Sequence, residues 1–140
     1  MSKVAPSFRV LCVDDNPSLL QVLKTSLEHY GCEIVTAGHG IEALREFKAH
    51  SGDFAAIVTD HDMPQMNGAE FVRSVRGIGF QGRIVVMSGR LTVEDLGAYQ
   101  DHAISGFFHK PFEMSLLAAM LMQASCGHSL GADPSTLPAR

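Results

Sequence analysis

Three aspartates, a serine and a lysine stand where apolar runs stop: Val13-Asp14-Asp15, Thr59-Asp60, Met87-Ser88 and His109-Lys110-Pro111. Carboxylates, a hydroxyl and an ammonium gathered in one crevice would bind a cation and receive a transferred group. Each alone has a plainer use, since Asp14-Asp15-Asn16 suits a helix cap, Ser88 a loop and Lys110 a solvated surface. Gathered, they pose a charge problem. Two carboxylates about 4 Å apart repel by roughly 4 kcal/mol at an effective dielectric near 20, so three do not stay ionised unaided. Lys110 offsets one charge. The other two call for a divalent cation, and an all-oxygen donor set suits Mg²⁺. With charge balanced, a phosphoryl group can approach Asp60 and form an aspartyl phosphate, its oxygens bound by Ser88 and Lys110. The pocket then gains roughly one negative charge, which draws a hydroxyl and its loop inward.

Those residues share a crevice only if the strands they end lie side by side. Runs rich in Val and Ile recur at Phe8 to Val13, Glu33 to Ala37, Phe54 to Thr59, Arg83 to Ser88 and Ile104 to His109. Helical periodicity fills the gaps. Leu19, Leu23, Leu27 and Tyr30 follow an Asn16-Pro17 start, and Gly31 ends the segment. Ile41, Leu44 and Phe47 form a second stripe, and Phe71, Val72 and Val75 a third. Thr92 to Asp95 reads as a capping box opening a fourth helix through Val93, Leu96 and Tyr99, and a fifth runs from about Phe112 to Ser125. Strands alternating with helices predict a parallel α/β sheet covered on both faces, with its ligand site outside the carboxyl ends of the strands. Val10-Leu11-Cys12-Val13 and Ala55-Ala56-Ile57-Val58 are continuous apolar runs, as doubly covered strands require.

The chain has 140 residues, of which 46% are hydrophobic and 19% charged, a composition that excludes intrinsic disorder and fits one domain. A net charge of -4 without a basic run argues against nucleic-acid binding by this chain. Cys12, Cys32 and Cys126 are widely spaced and odd in number, which favours free thiols in a reducing compartment. No apolar stretch reaches the ~18 residues of a membrane span, and the N-terminus has no apolar signal core, so the expectation is a soluble cytoplasmic protein without membrane contact. The expected organisation is an extension over 1–7, a domain over 8–126, and a Gly- and Pro-containing tail or start of a linker over 127–140.

From Phe8 to Ser125 the sequence resembles the receiver domain of two-component response regulators. The resemblance rests, in the family's order, on Val13-Asp14-Asp15-Asn16, on the segment from Asp60 through Gly68, on Met87-Ser88-Gly89, and on Phe107-Phe108-His109-Lys110-Pro111-Phe112. It implies a flavodoxin-like, doubly wound five-stranded parallel sheet, a (βα)5 three-layer sandwich. It also implies a signalling phosphoacceptor, not an enzyme acting on other molecules, in which a histidine kinase or histidine phosphotransfer protein donates the phosphoryl group to Asp60. The family pattern places Mg²⁺ on Asp15, Asp60 and the backbone carbonyl of Asp62, with Asp14 acting through water. Ser88 and Lys110 would bind the phosphoryl group, and Phe107 takes the place of an aromatic that swings inward after Ser88. The helix 4, strand 5, helix 5 face would then change shape, and serve a homodimer or a target protein.

An apolar strand followed by Asp60-His61-Asp62 also resembles the haloacid-dehalogenase phosphatases. There the motif ends the first strand, whereas here two strands precede it. Three further expectations concern the surroundings. His61, where an apolar residue is commoner, is expected to be a half-exposed loop residue. Asp62 and Arg90 are expected to form an ion pair across the entrance to the site. In the fifth helix Leu117, Met120, Leu121 and Ala124 should face the sheet, leaving Leu116, Ala119 and Met122 to face a partner or the folded-back tail.

Overall fold

Val10, Leu11, Cys12 and Val13 offer water no polar side chain, and all four are fully buried. They lie in the first of five parallel strands of the computed structural model, which describes residues 8–126, with side chains to 122. The expected extension and tail lie outside the described residues. In chain order the elements are β1 (Phe8–Val13), α1 (Pro17–His29), β2 (Cys32–Ala37), α2 (Gly40–Ala49), β3 (Ala56–Asp60), α3 (Gly68–Gly77), β4 (Arg83–Ser88), α4 (Val93–Gly97), β5 (Gly106–His109) and α5 (Met114–Cys126). The sheet order is β2-β1-β3-β4-β5. This is the flavodoxin-like doubly wound arrangement, and its order reverses between β1 and β3, where a ligand crevice opens.

Alternation along each strand divides the core in two. Leu11, Val13, Ile57, Ile84 and Val86 pack against Ala43 and Phe47 of α2 and Phe71, Val72 and Val75 of α3. Val10, Cys12, Val58, Val85 and Met87 pack against Leu23 and Leu27 of α1 and Leu117, Ala118 and Leu121 of α5. The sheet is thus covered on both faces. Cys12 and Cys32 are buried free thiols. Burial pushes the Cys12 thiol well up, with Cys32 adding to the effect, so it stays protonated and packs as a small apolar group. Among the described residues, no helix is long and apolar enough to cross a membrane.

Local signals set the boundaries. Asn16 Oδ1 accepts from the Ser18 and Leu19 amides, with Pro17 at the first helical position. Thr92 and Asp95 form the expected capping box. α4 differs from expectation: it is five residues long and buries none of its own side chains. Val93 is 86% exposed and Leu96 is also exposed, while Tyr99, just past the helix end, is buried. Five residues supply too few intrahelical bonds to sustain a helix unaided, so α4 depends on a few outside contacts. β3 and β5 each begin two residues later than expected, at Ala56 and Gly106. In α5, Leu117 and Leu121 face the sheet as expected, with Met120 half-buried beside them. Leu116 and Ala119 are exposed, but Met122 packs partly against the core. Ala124 and the covering tail lie outside the described side chains.

Gly68 opens α3 behind a second capping box formed by Asn67 and Glu70. A Cβ there would lie 2.6 Å from the Asp60 carbonyl oxygen and 2.6 Å from the Tyr99 hydroxyl. Gly68→Ala should therefore destabilise the fold by about 1–3 kcal/mol, measured by urea unfolding. Unchanged stability would mean that this close approach is not kept in solution.

Candidate functional site

The carboxyl ends of β1, β3, β4 and β5 deliver the expected residues to the crevice. Asp14 and Asp60 are almost fully buried, and Asp15 is exposed. One carboxylate oxygen from each of the three lies within 4.8 Å of the others. Lys110 reaches in from the end of β5, donating to Asp14 Oδ2 at 2.7 Å and lying 3.0 Å from Asp60 Oδ1. Asp14 Oδ1 accepts from the Asn16 amide at 2.8 Å, so the plain capping role falls to Asn16, and Asp14 is free to face the crevice.

Asp60 Oδ1 is the exception in this network. It is buried 3.0 Å from the ammonium, and among the described residues it has no hydrogen-bond donor besides that neighbour. A buried carboxylate oxygen left this way is ready for a metal ion or a phosphorus atom. Burial raises the Asp60 carboxyl to a pKa of about 6, with the Asp14 charge adding to the rise and Lys110 drawing it back. For Lys110, partial burial works toward a lower pKa. The hydrogen bond to Asp14 and the two carboxylate charges outweigh it, holding the ammonium above its ordinary value. Among the described residues the donor set therefore fits a hard divalent cation: three carboxylates, one of them exposed, against a single ammonium.

Ser88 is buried at the end of β4, but its hydroxyl is engaged away from Asp60. It donates to Asp62 Oδ2 at 2.9 Å, lies 3.0 Å from the Arg90 carbonyl oxygen, and accepts from the Arg90 amide. The expected Asp62–Arg90 ion pair is absent among the described residues. The Asp62 carboxylate meets the Ser88 hydroxyl instead, because residue 90 turns its backbone, not its side chain, toward this corner. Phe107 is 41% exposed, with its ring edge-on to Tyr99 at 5.5 Å.

His61 contradicts the half-exposed expectation. It is buried, with Nδ1 2.6 Å from the Tyr99 hydroxyl and Nε2 3.3 Å from Asp95 Oδ1. The physical reason is the backbone: the His61 amide donates to Met87 O and its carbonyl accepts from Gly68 N, which carries the strand one residue past Asp60 and turns the ring inward. Tyr99 and Asp95 were missed as site neighbours. The sequence marks them only as a core aromatic and a cap, 38 and 34 positions from His61. A cavity of about 620 Å³ lies at the other end of the sheet, where Arg76 and Arg83 line it. The Arg76 guanidinium is already spent on the carbonyls of His102, Phe80, Gly82 and Ala103.

Fold and crevice together define a doubly wound α/β domain with an acidic site at its switch point. The family model described as the response regulator receiver domain matches residues 10–122, and the chain belongs to that family. It is a signalling domain, and receiver domains generally bind Mg²⁺ at an acidic pocket. The chain is 35% identical over 111 residues to the transcriptional regulatory protein PrrA of Mycobacterium tuberculosis, covering 79% of this chain and 47% of PrrA. It is 33% identical over 115 residues to the response regulator MprA of the same species, covering 82% and 49%. The chain thus spans about half the length of these curated relatives. The chemotaxis protein CheY4 of Vibrio cholerae superposes with a TM-score of 0.77 at 30% identity, covering 85% of this chain and 99% of that one. The CheY in a CheX-CheY-BeF3-Mg complex from Borrelia burgdorferi shares the fold at 23% identity and a TM-score of 0.76, covering 84% and 89%.

Proposed function

We propose that Asp60 accepts a phosphoryl group from a histidine kinase or histidine phosphotransfer protein of a two-component phosphorelay. The observation that carries this reading is the buried, hydrogen-bond-orphaned Asp60 Oδ1, set between Lys110 and two further aspartates. An Asp60 oxygen attacks phosphorus, the bond from phosphorus to the donor's imidazole nitrogen breaks, and that nitrogen leaves with the electron pair. Asp15, Asp60 and the Asp62 backbone carbonyl would hold Mg²⁺, with Asp14 acting through water. The cation supplies neutralisation of the charge that gathers on the phosphoryl oxygens. Lys110 already lies 3.0 Å from Asp60 Oδ1, close enough to bind one of those oxygens. Ser88 must first leave the Asp62 carboxylate.

When Ser88 turns toward the phosphoryl group, Phe107 can follow it inward from its exposed position. The surface that changes carries Val93 and Leu96 of α4, Phe107 of β5 and Leu116 of α5, all exposed. An apolar group of this kind suits a homodimer or a target protein. The proposed setting is the cytoplasm, where kinase and phosphotransfer partners present their phosphohistidines.

Beryllofluoride, a phosphoryl mimic, tests the assignment. ¹⁹F NMR should give bound resonances for the wild type with Mg²⁺, and none after chelation or for Asp60→Asn. Bound resonances that persist in Asp60→Asn, or that never form in the wild type, would contradict it.

A further inference from the structure

His61 follows the acceptor directly, and both of its ring nitrogens are engaged in a buried setting. Nε2 lies 3.3 Å from the Asp95 carboxylate, which can only accept, and Nδ1 shares a hydrogen bond with the Tyr99 hydroxyl. Burial keeps that phenol protonated, far above its ordinary pKa, as this arrangement requires. The Tyr99 ring, 2% exposed, lies edge-on to His61 on one side and to Phe107 on the other, with centroids 5.5 Å away in each case. A continuous run of contacts therefore leads from the residue beside Asp60 to the exposed aromatic of β5.

The same histidine holds α4. That helix buries no residue of its own, so its attachment falls to Tyr99 just beyond its end and to Asp95 within it. Asp95 uses its second oxygen to accept from the Thr92 amide at the helix cap. Ser88 is joined to Thr92 through residues 89–91 alone. A pull on Ser88 toward Asp60 therefore reaches the α4 cap within four residues, and works against whatever fixes Asp95 and Tyr99. An element this short, held by so few contacts, moves at low free-energy cost.

We propose that His61 is a positioning residue that clamps α4 and Tyr99 in the unphosphorylated arrangement, so that the domain switches by releasing the His61–Tyr99 and His61–Asp95 contacts. This rests on the reading of Asp60 as phosphoacceptor and deepens it. Contacts made only in the unphosphorylated arrangement weaken the affinity for a phosphoryl group or its mimic, by linkage. Removing them tightens that affinity even while it costs stability. A histidine that served packing alone would lower stability and leave the affinity unchanged or weaker.

The test is the apparent affinity for beryllofluoride at fixed Mg²⁺, by ¹⁹F NMR, with thermal unfolding in parallel. Tyr99→Phe removes one oxygen and keeps both ring contacts, so it should fold and bind about fivefold more tightly, the factor expected for one hydrogen bond. His61→Leu, which breaks both contacts, should tighten binding further. His61→Asn places an acceptor near the Nδ1 position and should fall back toward the wild type. If folded Tyr99→Phe binds with wild-type affinity or more weakly, the clamp is overturned while the site assignment stands. If the wild type itself binds no beryllofluoride, both fall.

Discussion

Asp60→Asn should make the metal-free domain more stable at pH 7, by an amount on the order of 3 kcal/mol, although it removes the residue on which the proposed chemistry depends. The Asp60 pKa is raised from 3.8 to about 6 by burial and by Asp14. Between those two values the folded chain binds more protons than the unfolded chain, so stability falls as pH rises through the window. At neutral pH the carboxylate is ionised in both states and the full penalty is present, about 1.36 kcal/mol per pKa step. Asn keeps the shape without the charge. Urea unfolding in chelator should give a difference between variant and wild type that is near zero at about pH 4, opens through the window, and is flat above about pH 7. A difference independent of pH would show that the three carboxylates do not strain the fold.

Lys110→Met should have the opposite effect on the fold and should slow the proposed chemistry without abolishing it. Among the described residues the ammonium is the one cation in contact with Asp14 and Asp60. Its loss leaves the Asp14 carboxylate buried with only the Asn16 amide. Breaking a buried pair from one side costs about 3–5 kcal/mol, and here about 3 is expected because Lys110 is itself partly exposed. Phosphorylation should slow by about 10²- to 10³-fold, the usual effect of removing one preorganised donor from developing oxyanion charge. Stopped-flow phosphorylation with a small phosphodonor and urea unfolding of the same sample measure the two effects. A variant that folds as stably as the wild type and reacts as fast would remove Lys110 from the site.

The parallel sheet was legible because doubly covered strands leave continuous apolar runs such as Val10 to Val13, and because reactive residues stand at the ends of those runs. The grouping of Asp14, Asp15, Asp60 and Lys110 followed from topology, since one sheet order places all four strand ends at one crevice. Side-chain hydrogen bonds across the crevice left no such trace. Ser88 meets Asp62 from 26 positions away, and His61 meets Tyr99 from 38, both without periodicity to betray them. Charge and loop position pair Asp62 with Arg90, whereas the Ser88 hydroxyl is the donor that its carboxylate meets. α4 carried a sound capping box, but a cap marks where a helix starts and not how far it runs. In α5 the inner stripe of Leu117 and Leu121 was legible, but the absence of charge hid that Ala118 is buried too and that Met122 packs partly against the core.

Intact mass spectrometry after incubation with acetyl phosphate tests whether Asp60 is the phosphoacceptor. The wild type should gain the mass of a single phosphoryl group with Mg²⁺ and none in chelator, and Asp60→Asn should gain none. An unmodified wild type with Mg²⁺ and donor present, or undiminished labelling of Asp60→Asn, would contradict it.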